Sequence, residues 1–226
     1  MRISILGTGN MGDALGTQWA RAGHELTVAG RDMDKAAALA RRLGPAARAG
    51  TWAEAAAFGD VVLLAVRDHG IPAVLEAVGA ADGALRGRVL IDCTNPVVPG
   101  AFTLVEPHSS SMAARIAQRA VGAHVIKAFN LCHADVWRMT PPLFHGRPLS
   151  VPLCGDDRDA LSTVSSLVSD LGCVPVLGGG LERAGLLEST AAFMMGLWIN
   201  AGADAQAVLP PLEFAMGEPG GLNDRP

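Results

Sequence analysis

Gly7-Thr8-Gly9-Asn10-Met11-Gly12 follows the apolar run Ile3-Ser4-Ile5-Leu6 and precedes a helical pattern. In this order of strand, G-x-G-x-x-G and helix, each glycine has its own job. Gly7 permits a tight turn, Gly9 lets the backbone approach a pyrophosphate where a Cβ would collide, and Gly12 lets the helix pack close to the strand. The N–H groups at the helix start, together with the helix dipole, favour an anion in front of them. The loop therefore predicts dinucleotide binding. The alternative is a glycine-rich turn that binds nothing.

The second strand should end near the adenine ribose, where an acidic residue selects NAD and an arginine accepts the 2′-phosphate of NADP. Here the segment reads Ala29-Gly30-Arg31-Asp32, with Lys35 one helical turn on. A planar guanidinium grips phosphate bidentately and an ammonium adds a point charge, which favours NADP. The alternative leaves Arg31 in solvent and gives the ribose of NAD to Asp32. Asp32 is also a natural helix N-cap, which explains it without any ligand.

Ligands of open α/β sheets lie outside the carboxyl ends of the strands. That rule selects Ala65-Val66-Arg67-Asp68-His69 at the end of the third expected strand, Thr94-Asn95-Pro96 after the fourth, and Asn130 after the fifth. Asn95 either meets a nicotinamide carboxamide with its donor and acceptor, or only turns the chain before Pro96. His69 and His133 are the histidines within reach of such a cleft and the sole candidates for acid–base catalysis. His108, His124 and His145 lie in or beside loops. No triad spacing, H-E-x-x-H or nucleophile elbow is present, and no His, Cys and carboxylate cluster points to a metal. Hydride transfer between two cofactors suits that scarcity, because it needs proximity and orientation more than a protein acid or base.

The elements that must hold these residues alternate. Strands are expected at Arg2 to Leu6, Glu25 to Ala29, Val61 to Val66, Val89 to Cys93 and Val125 to Phe129. Helices are expected at Asp13 to Ala22, Met33 to Leu43 and Ile71 to Ala80. Such alternation implies right-handed crossovers and a Rossmann-type, doubly wound α/β fold with a mostly parallel sheet. Beyond a loop at Pro141-Pro142 and Gly146 to Pro148, a strand (Leu149 to Cys154), a helix ending near Leu171, a proline-bearing edge strand (Val174 to Leu177) and a last helix (Glu182 to about Asn200) follow. The last helix is apolar on most faces, so burial in the core or across a dimer interface is expected. The division predicted is a dinucleotide-binding domain over 1–145, a smaller C-terminal part for substrate and dimerisation over 146–216, and a loose tail over 217–226.

The chain has 226 residues, is 50% hydrophobic and carries a net charge of -4, with no run of basic residues, which argues against nucleic acid and anionic membranes as partners. Cys93, Cys132, Cys154 and Cys173 form no C-x-x-C pair and read as buried free thiols of a protein in a reducing cytoplasm. No signal-peptide pattern precedes the first strand, and the longest apolar stretch is too interrupted to span a bilayer.

Several segments together resemble the F420-dependent NADP oxidoreductases, small Rossmann reductases that exchange hydride between NADP(H) and the deazaflavin coenzyme F420. They are the glycine loop; Gly23-His24-Glu25; Gly30-Arg31 with Lys35; Asp92-Cys93-Thr94-Asn95-Pro96; Lys127-Ala128-Phe129-Asn130; Val151-Pro152-Leu153-Cys154-Gly155-Asp156-Asp157; and Leu187-Glu188-Ser189. The resemblance implies that Thr8, Arg31 and Lys35 hold the 2′-phosphate, that the backbone from Thr8 to Gly12 cradles the pyrophosphate, and that Asn95-Pro96 and Ala128 flank the nicotinamide. It also implies that the deazaflavin stacks under cover of the C-terminal part, through which members pair as homodimers. The chain departs from the family at Gly30, where serine is common, and at Arg67-Asp68, where Pro-Trp is common. It has no Tyr, so stacking would fall to Phe129, Phe193, Trp198 or apolar side chains. Two other readings keep the fold: an NADPH-dependent reductase of a small C=N or C=O substrate served by Arg67, Asp68 and His69, with His69 or His133 as proton donor, and a non-catalytic NADP-binding module.

Overall fold

The computed structural model describes residues 1–106, 110–204 and 208. His108 and the expected tail from Gly217 lie outside the described residues. The chain opens with β1 (Arg2–Leu6), α1 (Asn10–Arg21), β2 (Glu25–Ala29) and α2 (Met33–Leu43). It continues with β3 (Ala47–Ala49), α3 (Trp52–Phe58), β4 (Val61–Leu64), α4 (Ile71–Ala77), β5 (Val89–Asp92), α5 (Met112–Arg119) and β6 (His124–Lys127). After α6 (Ala134–Trp137) comes a small hairpin of β7 (Leu143–Phe144) and β8 (Arg147–Pro148). The chain then returns through β9 (Ser150–Cys154), α7 (Arg158–Ser169), β10 (Val174–Gly179) and α8 (Ala184–Met195).

One sheet runs in the order β10-β9-β6-β5-β4-β1-β2-β3. All neighbours are parallel except β6 and β9, which meet antiparallel at Lys127 and Cys154. The order reverses between β1 and β4: the chain winds outward through β2 and β3, then returns to β4 and winds the other way. That switch point opens a crevice beyond the carboxyl ends of both strands. The central strands read as unbroken apolar runs because both faces are covered: Val61–Leu64 is buried throughout. One core cluster packs α1, α2 and α7 against the sheet, and a second lies under α3, α4 and α5. The proline-bearing strand β10 is an edge strand, as its sequence suggests.

Several expectations need correction. The third strand ends at Leu64 rather than Val66, because Ala65 turns its carbonyl toward the glycine loop. The fourth ends at Asp92, and the fifth spans His124–Lys127 because Phe129 has a φ of 61° that no strand accommodates. Gly146 to Pro148 is not only loop, since Arg147 and Pro148 pair with Phe144 and Leu143. The last helix begins at Ala184 and gives way after Met195 to a π-helical turn over Gly196–Asn200. It is not buried within the chain: Leu186, Phe193, Trp198 and Ile199 are 46–65% exposed. Phe129, by contrast, cannot stack on a ligand. It is fully buried, edge-on to Trp19 at 5.9 Å and to Trp137 at 5.4 Å, and it ties α1 and α6 to the end of β6.

Candidate dinucleotide and nicotinamide site

The glycine loop sits at the switch point, and its glycines are held there for different reasons. Gly7 has a φ of 128°, and a Cβ on it would lie 2.3 Å from the Ala65 carbonyl oxygen and 2.9 Å from Val66 Cγ1. A Cβ on Gly12 would lie 2.9 Å from the Gly7 carbonyl oxygen and from Ile5 Cγ2. Both positions are thus fixed by the protein's own packing. Gly9 is different: the only atom near its absent Cβ is the Ala65 carbonyl oxygen at 3.8 Å. The space in front of Gly9 is therefore left open by the protein, as a cradle for an approaching group.

Gly9 is also the N-cap of α1, and no side chain caps that helix. The helices α2, α3, α5 and α7 are each closed by a side-chain acceptor, from Asp32, Thr51, Ser111 and Asp157. The Asp13 N–H returns to the Gly9 carbonyl at 3.0 Å, which leaves those of Asn10, Met11 and Gly12 without an acceptor among the described residues. Unpaired donors at the positive end of a twelve-residue helix form an anion site.

Beyond β2, Arg31 is exposed and makes no hydrogen bond or ion pair among the described residues. Asp32 is occupied: its carboxylate accepts from the Lys35 N–H at 3.1 Å, and that bond comes first in holding it below the usual carboxylate range. Its other oxygen lies 3.4 Å from Lys35 Nζ, with both side chains largely in solvent. A free guanidinium beside an engaged carboxylate suits a phosphate better than a ribose hydroxyl pair. Gly30 is crowded by Thr8, whose Cγ2 would sit 2.9 Å from a Cβ on residue 30.

On the other side of the crevice the ends of β5 and β6 are joined by an asparagine pair. Asn95 Nδ2 donates to the Asn130 carbonyl at 2.6 Å, and Asn130 Nδ2 donates to Asn95 Oδ1 at 2.9 Å and to the Leu187 carbonyl at 3.1 Å. Asn130 is 5% exposed, and its Oδ1 is buried with no partner. Ala128 is fully buried, Ala65 is buried and Val66 is half-buried. Arg67 is exposed at the crevice mouth.

The two histidines are not brought together. His69 follows β4, is 74% exposed and lies 3.6 Å from Asp68. His133 follows β6, is equally exposed, and caps α6 by accepting from the Asp135 N–H at 3.4 Å. The cysteines are all free. Burial pushes the Cys93 thiol up to about 12, and the Cys132 and Cys173 thiols up to about 11, so none is a thiolate nucleophile near neutral pH. Among the described residues no His, Cys and carboxylate group could hold a metal, and no helix is long and apolar enough to cross a membrane.

A group of residues that sequence reasoning missed lies behind the asparagine pair. Lys127, Asp92 and Glu188 are all sealed from solvent, and both carboxylates contact the Lys127 ammonium. All three stand in segments that carry the family resemblance, but the sign that they act together is a single charge inside each of three apolar runs, Val125 to Phe129, Val89 to Cys93 and Ala184 to Met195.

The crowding at Gly30 yields a test. Gly30→Ser alone should weaken NADPH binding by about 1–3 kcal/mol, because the new Cβ presses on the Thr8 methyl and displaces its hydroxyl. Gly30→Ser combined with Thr8→Ser removes the methyl and should recover most of that loss in equilibrium titrations. Tighter NADPH binding by the single variant would contradict the packing.

A family profile described as "NADP oxidoreductase coenzyme F420-dependent" matches residues 2–96. The chain is 30% identical over 216 residues to the F420-dependent NADP reductase of Methanothermobacter marburgensis, covering 88% of this chain and 93% of that one. A crystal structure from Arthrobacter sp. FB24, provisionally assigned as an F420-dependent NADP reductase, superposes with a TM-score of 0.78 at 27% identity, covering 90% of this chain and 96% of that one. An imine reductase from Aspergillus terreus shares the fold, with a TM-score of 0.65 at 23% identity, covering 89% of this chain and 63% of that one. At 30% identity across nearly the whole length of the Methanothermobacter protein, the chain belongs to the coenzyme F420-dependent NADP oxidoreductase family.

Proposed function

We propose that the protein transfers hydride between NADP(H) and the deazaflavin coenzyme F420, both acting as exchangeable substrates. The observation that carries the NADP half is the open cradle at Gly9 in front of an uncapped α1, with the unpaired Arg31 beyond it. Thr8 to Gly12 would hold the pyrophosphate, and Arg31, Lys35 and Thr8 the 2′-phosphate. Ala65, Val66 and Arg67 border the middle of the crevice. The nicotinamide would lie against Asn95-Pro96 and the end of β6. Asn95 is half-buried and spends one N–H and one Oδ1 lone pair on Asn130, so its second N–H and second lone pair are the groups left for a carboxamide, while Asn130 Oδ1 is sealed inside. Exposure of His69 and His133 fits a reaction that asks no proton of the protein.

The F420 half rests on family membership. Residues 1–145 would carry the dinucleotide, and 146–216 would cover the second substrate and form a homodimer contact. The exposed Leu186, Phe193, Trp198 and Ile199 support that contact, since apolar side chains of this size seldom cluster on a monomer surface without a role. Four free thiols suit a reducing cytoplasm.

Anaerobic mixing with NADPH and oxidised coenzyme F420 should bleach the deazaflavin absorbance, with little bleaching by NADH. Arg31→Ala should raise the Kd for NADPH by about 10- to 100-fold, as expected for a lost charge-assisted pair of hydrogen bonds, and leave NADH nearly unaffected. Tight NADPH binding without bleaching would shift the reading to a C=N or C=O acceptor at Arg67, Asp68 and His69. Equal loss for both nucleotides would remove the phosphate role of Arg31. Light scattering should give the mass of a dimer, and Trp198→Glu should shift it toward one chain; a wild-type monomer would remove the dimer.

A further inference from the structure

A complete set of buried charges stands behind the strand ends that border the nicotinamide side. Lys127 Nζ donates to Asp92 Oδ2 at 2.9 Å, to Glu188 Oε1 at 2.8 Å and to the Thr94 carbonyl at 2.6 Å, so all three ammonium protons are used. Asp92 Oδ1 accepts from the Thr94 N–H at 2.9 Å and from its hydroxyl at 2.7 Å. Glu188 accepts from the N–H groups of Met112 at 3.1 Å and Ala113 at 3.4 Å. Those are the first residues of α5, whose positive dipole end offsets the second carboxylate. Burial works against the charged lysine, but the two carboxylates prevail and hold its pKa above the ordinary value.

Stability is a weak reason to keep such a cluster, since apolar side chains of equal volume serve a core as well or better. Its effect is geometric. Asp92 closes β5 and Thr94 leads into Asn95-Pro96, while Lys127 closes β6 and leads into Asn130. Glu188 stands in α8 beside Leu187, whose carbonyl receives Asn130 Nδ2. One cluster therefore sets both strand ends, the start of α5 and the position of α8. The asparagine pair is the next layer outward.

We propose that Lys127, Asp92 and Glu188 form a positioning set for hydride transfer. The set holds the Asn95–Asn130 pair at a fixed distance from α8, and so fixes the nicotinamide relative to the second substrate. None of its members touches a substrate. The inference rests on the hydride-transfer function proposed above.

The test is Glu188→Gln, which keeps the size of the side chain but sets an amide N–H against donors. Three quantities are needed: the single-turnover rate of F420 reduction, the Kd for NADPH, and the isotope effect with NADPH deuterated at both C4 positions. The variant should bind NADPH within about threefold of wild type. Hydride transfer should slow by about 10- to 100-fold, as expected when reacting atoms are misplaced by a fraction of an ångström to one ångström, and the isotope effect on turnover should rise. Thr94→Val, which removes only one hydroxyl from the edge of the cluster, should show the same pattern at smaller amplitude and serves if Glu188→Gln does not fold. A folded variant with an unslowed rate, or a rate lost only in step with NADPH affinity, overturns the positioning role. Failure of wild-type protein to reduce F420 at all sinks the proposed function and this role with it. Wild-type turnover with unslowed variants sinks the positioning role alone.

Discussion

Position 7 admits no side chain, and much of the site follows from that constraint. The turn after β1 is pressed so tightly on the Ala65 carbonyl that a Cβ there would lie 2.3 Å from it. This contact closes the two strands at the sheet's switch point onto one another. It ends β4 at Leu64, and α1 starts inside the loop, at Asn10. The helix begins without a side-chain cap, next to the space that Gly9 leaves open. An anion site thus arises from backbone alone, and side chains are needed only to say which anion. In the proposed function Arg31, left unpaired while Asp32 caps a helix, would make that anion a phosphate.

The opposite wall is built by the reverse strategy. Backbone close-packing makes the wall proposed for the pyrophosphate, whereas buried polar chemistry makes the wall proposed for the nicotinamide. The Lys127 cluster brings β5, β6, α5 and α8 to one point, and the asparagine pair lies on top of it. Burying three charges is costly, and the cost is offset only because every ammonium proton and most carboxylate lone pairs find partners. Such a structure has little tolerance for displacement. Rigidity of that kind suits a reaction in which two flat ring systems must meet at near van der Waals distance and the protein supplies no acid or base.

Elements made from unbroken apolar runs or clear caps were legible in the sequence: β1, β2, β4, α2 and α7 fall close to their expected places, and the proline of β10 correctly marks an edge. The strand Ala47–Ala49 was not legible, because three residues with a central arginine carry no alternation. The helix Trp52–Phe58 was not anticipated: its Ala-rich body hides the period, and the Thr51–Glu54 capping box that starts it is seen only in the structure. Phe129 looked like a stacking residue and is instead the hub of a buried aromatic triplet. α8 was expected in the core or across a dimer interface because its apolar residues surround it, and the core alternative fails because Leu186 and Phe193 stand exposed. The ion cluster joins residues 35 and 61 positions apart, a separation no local pattern encodes. Isolated charges in two apolar strands and one apolar helix were its local trace.

The most direct measurement of the central claim is the fate of the transferred hydrogen itself. Oxidised coenzyme F420 would be reduced anaerobically by this protein with NADPH deuterated at both C4 positions, and the reduced deazaflavin weighed by mass spectrometry. One deuterium in the central ring is the predicted result, with none acquired when unlabelled NADPH is used in heavy water. Reduced product without the label, or label that comes from solvent, would contradict direct hydride transfer across the crevice.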